Sequence, residues 1–386
     1  MTKINILAVC MWPWGGIRTY LKYVYHYFPR DQFEITLLAN PTAEREHLER
    51  DMKNENIRIV WAKPFLGKNV LFLRTLGMLL KGKYDVIHSH GYISAFHVSL
   101  VGWLFRIPHV FTIHSILVKT YFEGRIGAMK RFLFKNSLKS VTVFHAVGSD
   151  ILEYSRSLFP DLTRTRATWV AIPSGIMVER FTTDMGTERE LLRSRIRCDK
   201  GTFLFGFVGR FQPEKGFNYI IDAVDILRKR KLDSGDLIVL AVGSGEYENE
   251  YKEEIDRRGL AGHFRFLPFD PAIEDIIKGC DTILMPSIIE GWSLLACEAL
   301  CSGVPLIATD CLGLREIIEG TPAIRIRPHD DKALADAMLS CISNPGLKKE
   351  FAAYRIKAAG RFDARSSAQE LGRLFKDEVA RSKKTG

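Results

Sequence analysis

The chain has 386 residues, a length that favours two domains over one very large domain. Hydrophobic residues make up 46% and charged residues 26%, an ordinary globular composition that excludes wholesale disorder and fibrous repeats. The net charge of +10 lies in residues 1–172, which hold 23 Lys and Arg against 12 Asp and Glu, whereas residues 173–386 hold 32 against 33. Such a one-sided charge favours an anionic partner for the first half: a phospholipid surface, a polyphosphate or a nucleic acid.

The first half alternates short apolar runs with segments of helical spacing. The runs predicted to be buried strands are Ile4–Val9, Ile35–Leu38, Ile57–Trp61, Val86–His88, Val110–Ile113, Thr142–Val147 and Thr168–Ile172. The predicted helices are Thr19–Tyr27, Thr75–Lys81, Ser94–Phe105 and Ile126–Leu138. No apolar run reaches the roughly 18 residues of a membrane-spanning helix. The alternation predicts a parallel sheet with helices on both faces.

The same cycle restarts near residue 202. The predicted strands are Phe203–Val208, Ile238–Val242, Phe264–Leu267, Thr282–Met285, Leu306–Ala308 and Ala323–Ile326. The predicted helices are Phe217–Lys229, Glu248–Arg258, Ile273–Lys278, Leu294–Leu300 and Lys332–Asn344. We therefore predict an α/β fold of two tandem Rossmann-like, doubly wound domains, residues 1–172 and 176–358, facing a cleft. A C-terminal helix, within about residues 362–386, is predicted to cross back onto the first domain. Ligands of such sheets bind beyond the carboxyl ends of the strands.

The strongest motif places two carboxylates, Glu290 and Glu298, eight residues apart where a strand leads through a loop into a helix. The backbone N–H groups around Ser293–Ala296 have no intrahelical acceptor, and the helix dipole makes this turn a site for an anion. Carboxylates on either side suit sugar or ribose hydroxyls, so the pattern indicates a nucleotide sugar. Spacing alone equally allows a charged surface helix.

A second motif follows the strand Phe203–Val208, where Gly209-Arg210 precedes Lys215-Gly216. Arginine offers phosphate a two-pronged hydrogen-bonding fork and lysine a point charge. Both residues would lie over the same strand-end crevice. The alternative is a pair of solvated surface cations.

Two weaker signals lie in the first half. Gly15-Gly16 directly follows the first strand. The pair indicates either a simple tight turn between strand and helix or a turn that presents its backbone N–H groups to a pyrophosphate. His114 stands at another strand end, where a lone histidine is more often part of the core or a loop. His88 and His90 would face the same side, but no carboxylate or cysteine completes a metal site there. The seven scattered cysteines, without a Cys-x-x-Cys pair, predict buried thiols in a reducing compartment.

Taken in chain order, these motifs resemble the retaining family-4 glycosyltransferases of GT-B fold. The matching residues are Gly15-Gly16, His114, Gly209-Arg210, Lys215-Gly216, Gly243 within Val242–Glu246, Glu290, Glu298 and Gly303-x-Pro305. The resemblance spans essentially the whole chain, and the combination is specific although each member alone is not.

The resemblance implies roles for the second domain. Arg210 and Lys215 would bind the donor diphosphate. Glu298 would hold ribose hydroxyls, and Glu290 would hold hydroxyls of the donor sugar. The remaining donor-binding residues would be Gly209, Gly243, Trp292, Ser293, Leu294 and Leu295, with backbone groups near the last two meeting the distal phosphate.

In the first domain, the resemblance implies that Gly15 and Gly16 approach the diphosphate and that His114 meets the transferred sugar or the phosphate. Two departures from the family pattern stand out. Ser293 replaces a common glycine, which narrows the expected floor of the sugar pocket, and Ser174 replaces the usual asparagine near the linker.

The resemblance implies transfer of a hexose from a nucleoside-diphosphate sugar, without a metal ion and with retention of configuration. The family resemblance favours a UDP-sugar as the donor. The acceptor would be a saccharide or lipid-linked saccharide in cell-surface glycoconjugate synthesis. No Asp-x-Asp motif occurs, so we expect no metal and no cofactor. The main alternative is a sugar-nucleotide epimerase or hydrolase of the same fold, which needs no acceptor. A silent binding module and a nicotinamide enzyme fit the motifs less well.

The segment from Gly124 to Lys139 combines five basic residues with an apolar stripe and has no acidic residue. This pattern is typical of an amphipathic helix on an anionic bilayer. The alternative is a core helix with a solvated basic face. We expect a cytoplasmic protein, with peripheral association at the inner face of the membrane as the further expectation. No nucleic-acid-binding motif appears.

Overall fold

The computed structural model describes residues 3–42, 44–55, 57–62, 71–183, 188–233, 235–270 and 272–385. The chain divides into two compact units. The first is Met1–Ile176 together with Ala364–Gly386, and the second is Met177–Asp363.

The first unit contains a seven-stranded sheet of order β3-β2-β1-β4-β5-β6-β7, in which every pairing is parallel. Its strands are β1 (Ile4–Cys10), β2 (Phe33–Ala39), β3 (Arg58–Trp61), β4 (Val86–His90), β5 (His109–Ile113), β6 (Val143–Ala146) and β7 (Thr168–Ala171). The helices between them are α1 (Gly15–His26), α2 (Arg45–Asn54), α3 (Leu71–Lys81), α4 (Tyr92–Leu104), α5 (Gly124–Leu138) and α6 (Ser149–Leu158).

The second unit contains a six-stranded parallel sheet of order β10-β9-β8-β11-β12-β13. The strands are β8 (Phe203–Val208), β9 (Leu237–Val242), β10 (Phe264–Leu267), β11 (Thr282–Met285), β12 (Leu306–Thr309) and β13 (Ile324–Ile326). The helices are α7 (Val178–Thr182), α8 (Glu188–Arg195), α9 (Phe217–Lys229), α10 (Glu248–Arg257), α11 (Ile273–Gly279), α12 (Leu294–Ser302), α13 (Arg315–Ile318), α14 (Asp331–Ser343) and α15 (Gly346–Arg361).

The final helix, α16 (Ala364–Thr385), belongs to the first unit. Its Phe375 ring lies 5.9 Å from Phe28 and 6.5 Å from Phe33, measured between ring centroids. The Ser367 hydroxyl donates to the Pro173 carbonyl at 2.6 Å and accepts from the Gly175 N–H at 3.0 Å. These contacts tie the end of the chain to the segment that follows β7.

The cores follow from sequence pattern. Strands of a parallel sheet covered on both faces are apolar throughout, and residues Ile6 to Cys10 of β1 are all fully buried. In α9, Phe217, Ile220, Ile221, Val224 and Leu227 recur at helical spacing and are buried in the core of the second unit. Burying each such side chain stabilises the fold by about 1.5–3 kcal/mol.

Both sheets reverse their winding direction once. Strand β1 lies between β2 and β4, and β8 lies between β9 and β11. At such a switch point the connections leave in opposite directions and open a crevice beyond the carboxyl ends of the strands. The segments following β1 and β4, and separately those following β8 and β11, therefore border a binding crevice.

The predicted α/β class with two doubly wound units is confirmed. The sequence missed α2, α6, α7, α8, α13 and α15. It also ended several strands too early, β4 by the largest margin, because this strand runs on to His90 rather than His88. The first helix begins at Gly15 rather than Thr19. All seven cysteines are buried and unpaired.

Candidate active site

In the second unit, two loops meet at the switch point between β8 and β11. Gly216 has a φ of 71°, and a Cβ at this position would lie 2.1 Å from the Pro286 carbonyl oxygen, so only glycine allows this close approach. The Ile288 N–H donates to the Glu214 carbonyl at 2.8 Å. The loop carrying Lys215 is thereby fixed against the loop carrying Glu290.

Lys215 and Glu290 are in direct contact. The Lys215 ammonium lies 2.7 Å from Glu290 Oε1, with side-chain exposures of 24% and 9%. The Ser287 hydroxyl donates to the same Oε1 at 2.8 Å. Within the described residues, the second oxygen, Oε2, has no such donor. The carboxylate is thus held by one oxygen and offers the other to a ligand.

The glycines of this crevice hold the loops close together. Gly243 has a φ of 147°, and a Cβ there would lie 1.9 Å from the Gly209 carbonyl oxygen. A Cβ on Gly313 would lie 2.2 Å from the Glu290 carbonyl oxygen. The segments that follow β8 and β9 are therefore closely packed against each other, and so are those that follow β11 and β12 at the rim of the site.

Arg210 stands apart from that pair. Its side chain is about half exposed, and its Nη2 lies 3.9 Å from Glu214 Oε1, one helical turn along the chain. Within the described residues it contacts neither Lys215 nor Glu290. The structure thus brings two of the four predicted charged residues of this unit into contact and leaves the guanidinium in solvent.

Helix α12 begins beside this rim with Ser293 as its N-cap. The Ser293 hydroxyl accepts from the Ala296 N–H at 3.4 Å, so the predicted row of free donors across Ser293–Ala296 is wrong at its last member. Within the described residues, the N–H groups of Leu294 and Leu295 have no acceptor and remain available to an anion. Glu298 lies in the second turn and is buried.

The neighbouring Trp292 also offers a donor. Its indole Nε1 is buried and has no oxygen or nitrogen acceptor among the described residues; the Cys297 thiol is the polar group beside it. A buried N–H without an acceptor is unfavourable unless a ligand or water satisfies it.

In the first unit, Gly15 and Gly16 are the first two residues of α1, the helix that follows β1. Gly15 has a φ of 52°. Its N–H donates to Glu44 Oε2 at 3.3 Å, and the buried Arg18 donates to the same oxygen at 2.6 Å. The Glu44 carboxylate therefore already accepts from the Gly15 N–H, the first of the two N–H groups predicted to bind phosphate.

His114 directly follows β5 and is hydrogen-bonded to His90, with 2.9 Å between His114 Nε2 and His90 Nδ1. Its ring packs edge-on against Tyr20 at 4.6 Å. Burial holds the pKa of His114 well below its ordinary value, and the neighbouring imidazoles of His90 and His145 lower it further. The ring is therefore neutral at physiological pH.

Several residues around these groups were missed by the sequence analysis. They are Glu44 at the glycine turn, Ser287 and Gly313 beside Glu290, and Tyr25, Thr112 and His145 behind His114. The histidines were detectable in the sequence, because His114 directly follows one predicted strand, His90 lies two residues beyond the preceding one, and His145 lies near the end of the next.

The helix predicted to bind an anionic surface turns its apolar stripe outward. Ile126, Met129, Phe132 and Leu133 of α5 are all at least 48% exposed, whereas its core contact is made by other residues: Gly127, Phe134 and Leu138. The alternative of a core helix buried by this stripe is therefore wrong.

Two features are absent from the described residues. These residues contain no group of three or more His, Cys, Asp or Glu suited to a metal ion. None of the helices within those residues has the length and apolarity needed to cross a bilayer.

Comparison with known families covers nearly the whole chain. The model described as Glycosyltransferase Family 4 matches residues 14–180, and the model described as Glycosyl transferases group 1 matches residues 188–358. A D-inositol 3-phosphate glycosyltransferase of Corynebacterium jeikeium is 27% identical over 330 residues, 81% of this chain and 76% of the relative. A UDP-Gal:alpha-D-GlcNAc-diphosphoundecaprenol alpha-1,3-galactosyltransferase of Escherichia coli is 23% identical and covers 81% of both chains.

Among solved structures, Anabaena Alr3699/HepE in complex with UDP-glucose superposes with a TM-score of 0.81 at 20% identity, over 97% of this chain and 100% of that one. This likeness shows the fold. The chain belongs to glycosyltransferase family 4 and is a glycosyltransferase of GT-B fold.

Proposed function

We propose that the protein transfers a hexose from a UDP-sugar to a hydroxyl of a saccharide or lipid-linked saccharide, with retention and without a metal ion. The observation that carries this proposal is the Lys215–Glu290 pair at 2.7 Å, beyond the carboxyl ends of β8 and β11. Nucleotides bind sheets of this topology at that place. The Escherichia coli relative is named for a UDP-galactose donor and a diphosphoundecaprenol-linked acceptor, which favours the same classes here.

In the proposed reaction, the bond between the anomeric carbon and the diphosphate oxygen breaks, and negative charge grows on the diphosphate. Arg210 and Lys215 neutralise that charge, and the free N–H groups of Leu294 and Leu295 add fixed dipoles. The acceptor oxygen bonds to the anomeric carbon on the face that the leaving group vacates. Its proton passes to the leaving phosphate oxygen, so the products are the new glycoside and UDP.

The two carboxylates would divide the hydroxyl groups of the donor between them. Glu290 holds Lys215 with Oε1 and would accept from a sugar hydroxyl with Oε2. Glu298, buried in α12, would accept from the ribose. Gly209 and Gly243 let the backbone approach the nucleotide, and the Trp292 indole and the Ser293 cap complete this part of the site.

Residues of the first unit would also contact the donor. The Gly15 N–H is already hydrogen-bonded to Glu44, so the N–H of Gly16 would be the remaining backbone donor to the ligand. Gly15 would join it only when the Glu44 carboxylate moves away. His114 would contact the transferred sugar or its phosphate.

We further propose that α5 lies on an anionic bilayer, where a lipid-linked acceptor would be found. Its outward stripe contains Phe132, 65% exposed, and Ile126, 68% exposed. The adjacent α4, whose Phe96 stacks on Phe134 of α5 at 4.8 Å, exposes a further apolar residue, Trp103. Apolar side chains among basic residues are the pattern expected for an interfacial helix.

The testing experiment measures UDP release from UDP-glucose with and without a lipid-linked oligosaccharide fraction, in the presence of a chelator. The expected result is release that requires the acceptor and survives chelation, with a product of retained anomeric configuration. Release that never needs acceptor would favour the epimerase or hydrolase. Loss of UDP release in chelator that Mn²⁺ restores would contradict the metal-free mechanism.

A thermal-shift panel of nucleotide sugars identifies the donor if UDP-glucose is inert, because ligands of the native state raise the melting temperature.

A further inference from the structure

A continuous chain of buried polar groups runs behind His114 in the first unit. Starting from the main chain, it passes through His145, Thr112, His88, Tyr25 and His90 and ends on His114. Successive donor–acceptor distances are 3.1, 2.9, 2.6, 2.8, 2.8 and 2.9 Å. The rings lie at the carboxyl ends of neighbouring strands, where Thr112 is in register with both His90 and His145.

The first link of the chain has a fixed direction. His145 Nε2 lies 3.1 Å from the Ile172 carbonyl oxygen, which can only accept, so Nε2 carries the proton. Burial lowers the pKa of His145 to about 4, so its ring is neutral and Nδ1 is a lone pair. Thr112 must therefore donate its one proton to His145 Nδ1.

Each later link follows from the one before it. Having given its proton to His145, Thr112 accepts from His88 Nε2–H. His88 then has a bare Nδ1, which accepts the Tyr25 hydroxyl proton. Tyr25 in turn accepts from His90 Nε2–H, which leaves His90 Nδ1 bare.

We propose that this relay, anchored at the Ile172 carbonyl, fixes His114 as the Nε2–H tautomer, with Nδ1 presented as a hydrogen-bond acceptor. His114 Nε2 must donate to the bare His90 Nδ1. No described residue donates to His114 Nδ1. The positioning residues of the relay are His145, Thr112, His88, Tyr25 and His90.

The tautomer has a consequence for the donor, which rests on the proposed function. A bare nitrogen accepts from a sugar hydroxyl and repels an anionic phosphate oxygen. Of the two contacts left open for His114, the relay therefore selects the hydroxyl of the transferred sugar.

His109, a histidine of the same unit outside this chain of hydrogen bonds, provides an internal reference. Ser99 gives its proton to the Ala95 carbonyl at 2.6 Å, so His109 Nδ1, 3.3 Å away, must donate to it. Ser89 then donates to His109 Nε2 at 2.7 Å. Since burial lowers the pKa of His109 to about 3, this ring is neutral and has the opposite tautomer to the relay.

The test records long-range ¹H–¹⁵N correlations of the full chain with ¹⁵N-labelled histidine, in which protonated and bare ring nitrogens differ in chemical shift. Resonances are assigned by single histidine substitutions. We expect Nε2–H for His114, His90, His88 and His145 and Nδ1–H for His109. A His114 signal of the Nδ1–H form, or of both forms mixed, would overturn the proposal.

Two variants test whether the relay sets the tautomer. Thr112→Val keeps the side-chain shape and removes the donor to His145, so His88, His90 and His114 should become mixtures. Tyr25→Phe, the variant to use if Thr112→Val fails to fold, should disturb only His90 and His114 and leave His88 as Nε2–H. The matched control, Ser89→Ala, lies between His88 and His90 on β4 and should alter His109 alone. An unchanged His114 in both relay variants would show that its tautomer is set locally.

The donor consequence is tested separately, by titrating UDP and UDP-glucose into the wild type and His114→Ala. We expect about a five-fold loss of affinity for UDP-glucose, the usual effect of one hydrogen bond, and no change for UDP. An equal loss for both ligands would place His114 at the phosphate and overturn the selection of the hydroxyl. If neither ligand binds the wild type, the proposed donor fails, while the tautomer measurement still decides the relay.

Discussion

The two units share one topology but use opposite chemistry at the switch point. The first unit, residues 1–176 with 364–386, carries 29 Lys and Arg against 15 Asp and Glu, whereas residues 177–363 carry 26 against 30. The basic unit nevertheless places neutral imidazoles behind its strand ends. The acidic unit holds a cation there, Lys215, paired with Glu290.

This contrast shows that net charge and site charge are separate properties of a domain. Net charge acts over the whole surface and favours an extended anionic partner. Site charge is fixed by a few side chains beyond the strand ends, where in the proposed reaction a single ammonium would stabilise a leaving diphosphate. The contrast agrees with the proposals that the first unit binds an anionic surface and that the second unit binds the leaving group.

The largest expected effect is a selective loss of folding stability of the first unit in acid. The folded-state pKa values of His109 and His145 are about 3 and about 4, against 6.5 for an ordinary histidine, because both rings are buried. The unfolded chain therefore binds more protons below pH 6.5, and stability falls as the pH falls. Below pH 6.5, each ring lowers the free energy of unfolding by about 1.4 kcal/mol per pH unit. At pH 5 the two rings together lower it by about 4 kcal/mol.

Urea unfolding followed by tryptophan fluorescence measures this loss, because five of the six tryptophans lie in the first unit. Proteolysis reports on the second unit, whose stabilising Asp281 has a lowered pKa and loses its charge only below 3.8. Glu378 opposes the trend in part, because burial raises its pKa. A fluorescence midpoint that stays constant from pH 7 to 5 would contradict the prediction.

Next in size is the effect of Lys215→Ala on the chemistry of the second unit. Removing one group that stabilises developing charge costs about 3–4 kcal/mol, so donor turnover should fall about 10²–10³-fold. The measurement is the rate of UDP release with the fold monitored by circular dichroism. Lys252→Ala, which breaks an ion pair with Glu248 elsewhere in the same unit, is the control and should retain full turnover. Near-normal turnover of Lys215→Ala would remove Lys215 from the site.

The sheets could be predicted from sequence because parallel strands buried on both faces are continuous apolar runs. Helices with few buried residues could not. In α2 only Leu48 and Met52 are buried hydrophobics, which is too few to reveal a helical period. The strand order that brings β8 beside β11 is likewise invisible in local pattern.

The site was predictable as a set of residue types and not as a set of contacts. Lys215 and Glu290 are 75 residues apart, and their pairing depends on the order of the strands. The Glu44 contact with Gly15 was missed because a carboxylate on another segment completes the turn. The histidine relay needed the registers of β4, β5 and β6, which no single stretch of sequence contains.

A smaller effect is expected from Phe132→Glu on the exposed face of α5. Burial of a phenylalanine in the interface is worth about 1.5–3 kcal/mol, so binding to vesicles containing anionic phospholipid should weaken by at least about ten-fold. Vesicle sedimentation at low and high salt measures it, and added salt should also weaken the wild type. Ile356→Glu, at an exposed position of α15 in the acidic unit, is the matched control and should bind as the wild type does. Equal binding of both variants at all salt concentrations would exclude α5 as the contact.

The smallest expected effect belongs to Ser293→Gly, which restores the residue that the family pattern favours. Losing the cap on Ala296 should cost only a few tenths of a kcal/mol, because glycine is itself an acceptable N-cap. The freed Ala296 N–H adds a third donor to those of Leu294 and Leu295, so UDP should bind slightly more tightly. Calorimetric titration and thermal unfolding measure the two changes. A ten-fold loss of UDP affinity would mean that the serine hydroxyl itself contacts the phosphate, and that this chain has replaced the backbone donor with a side-chain donor.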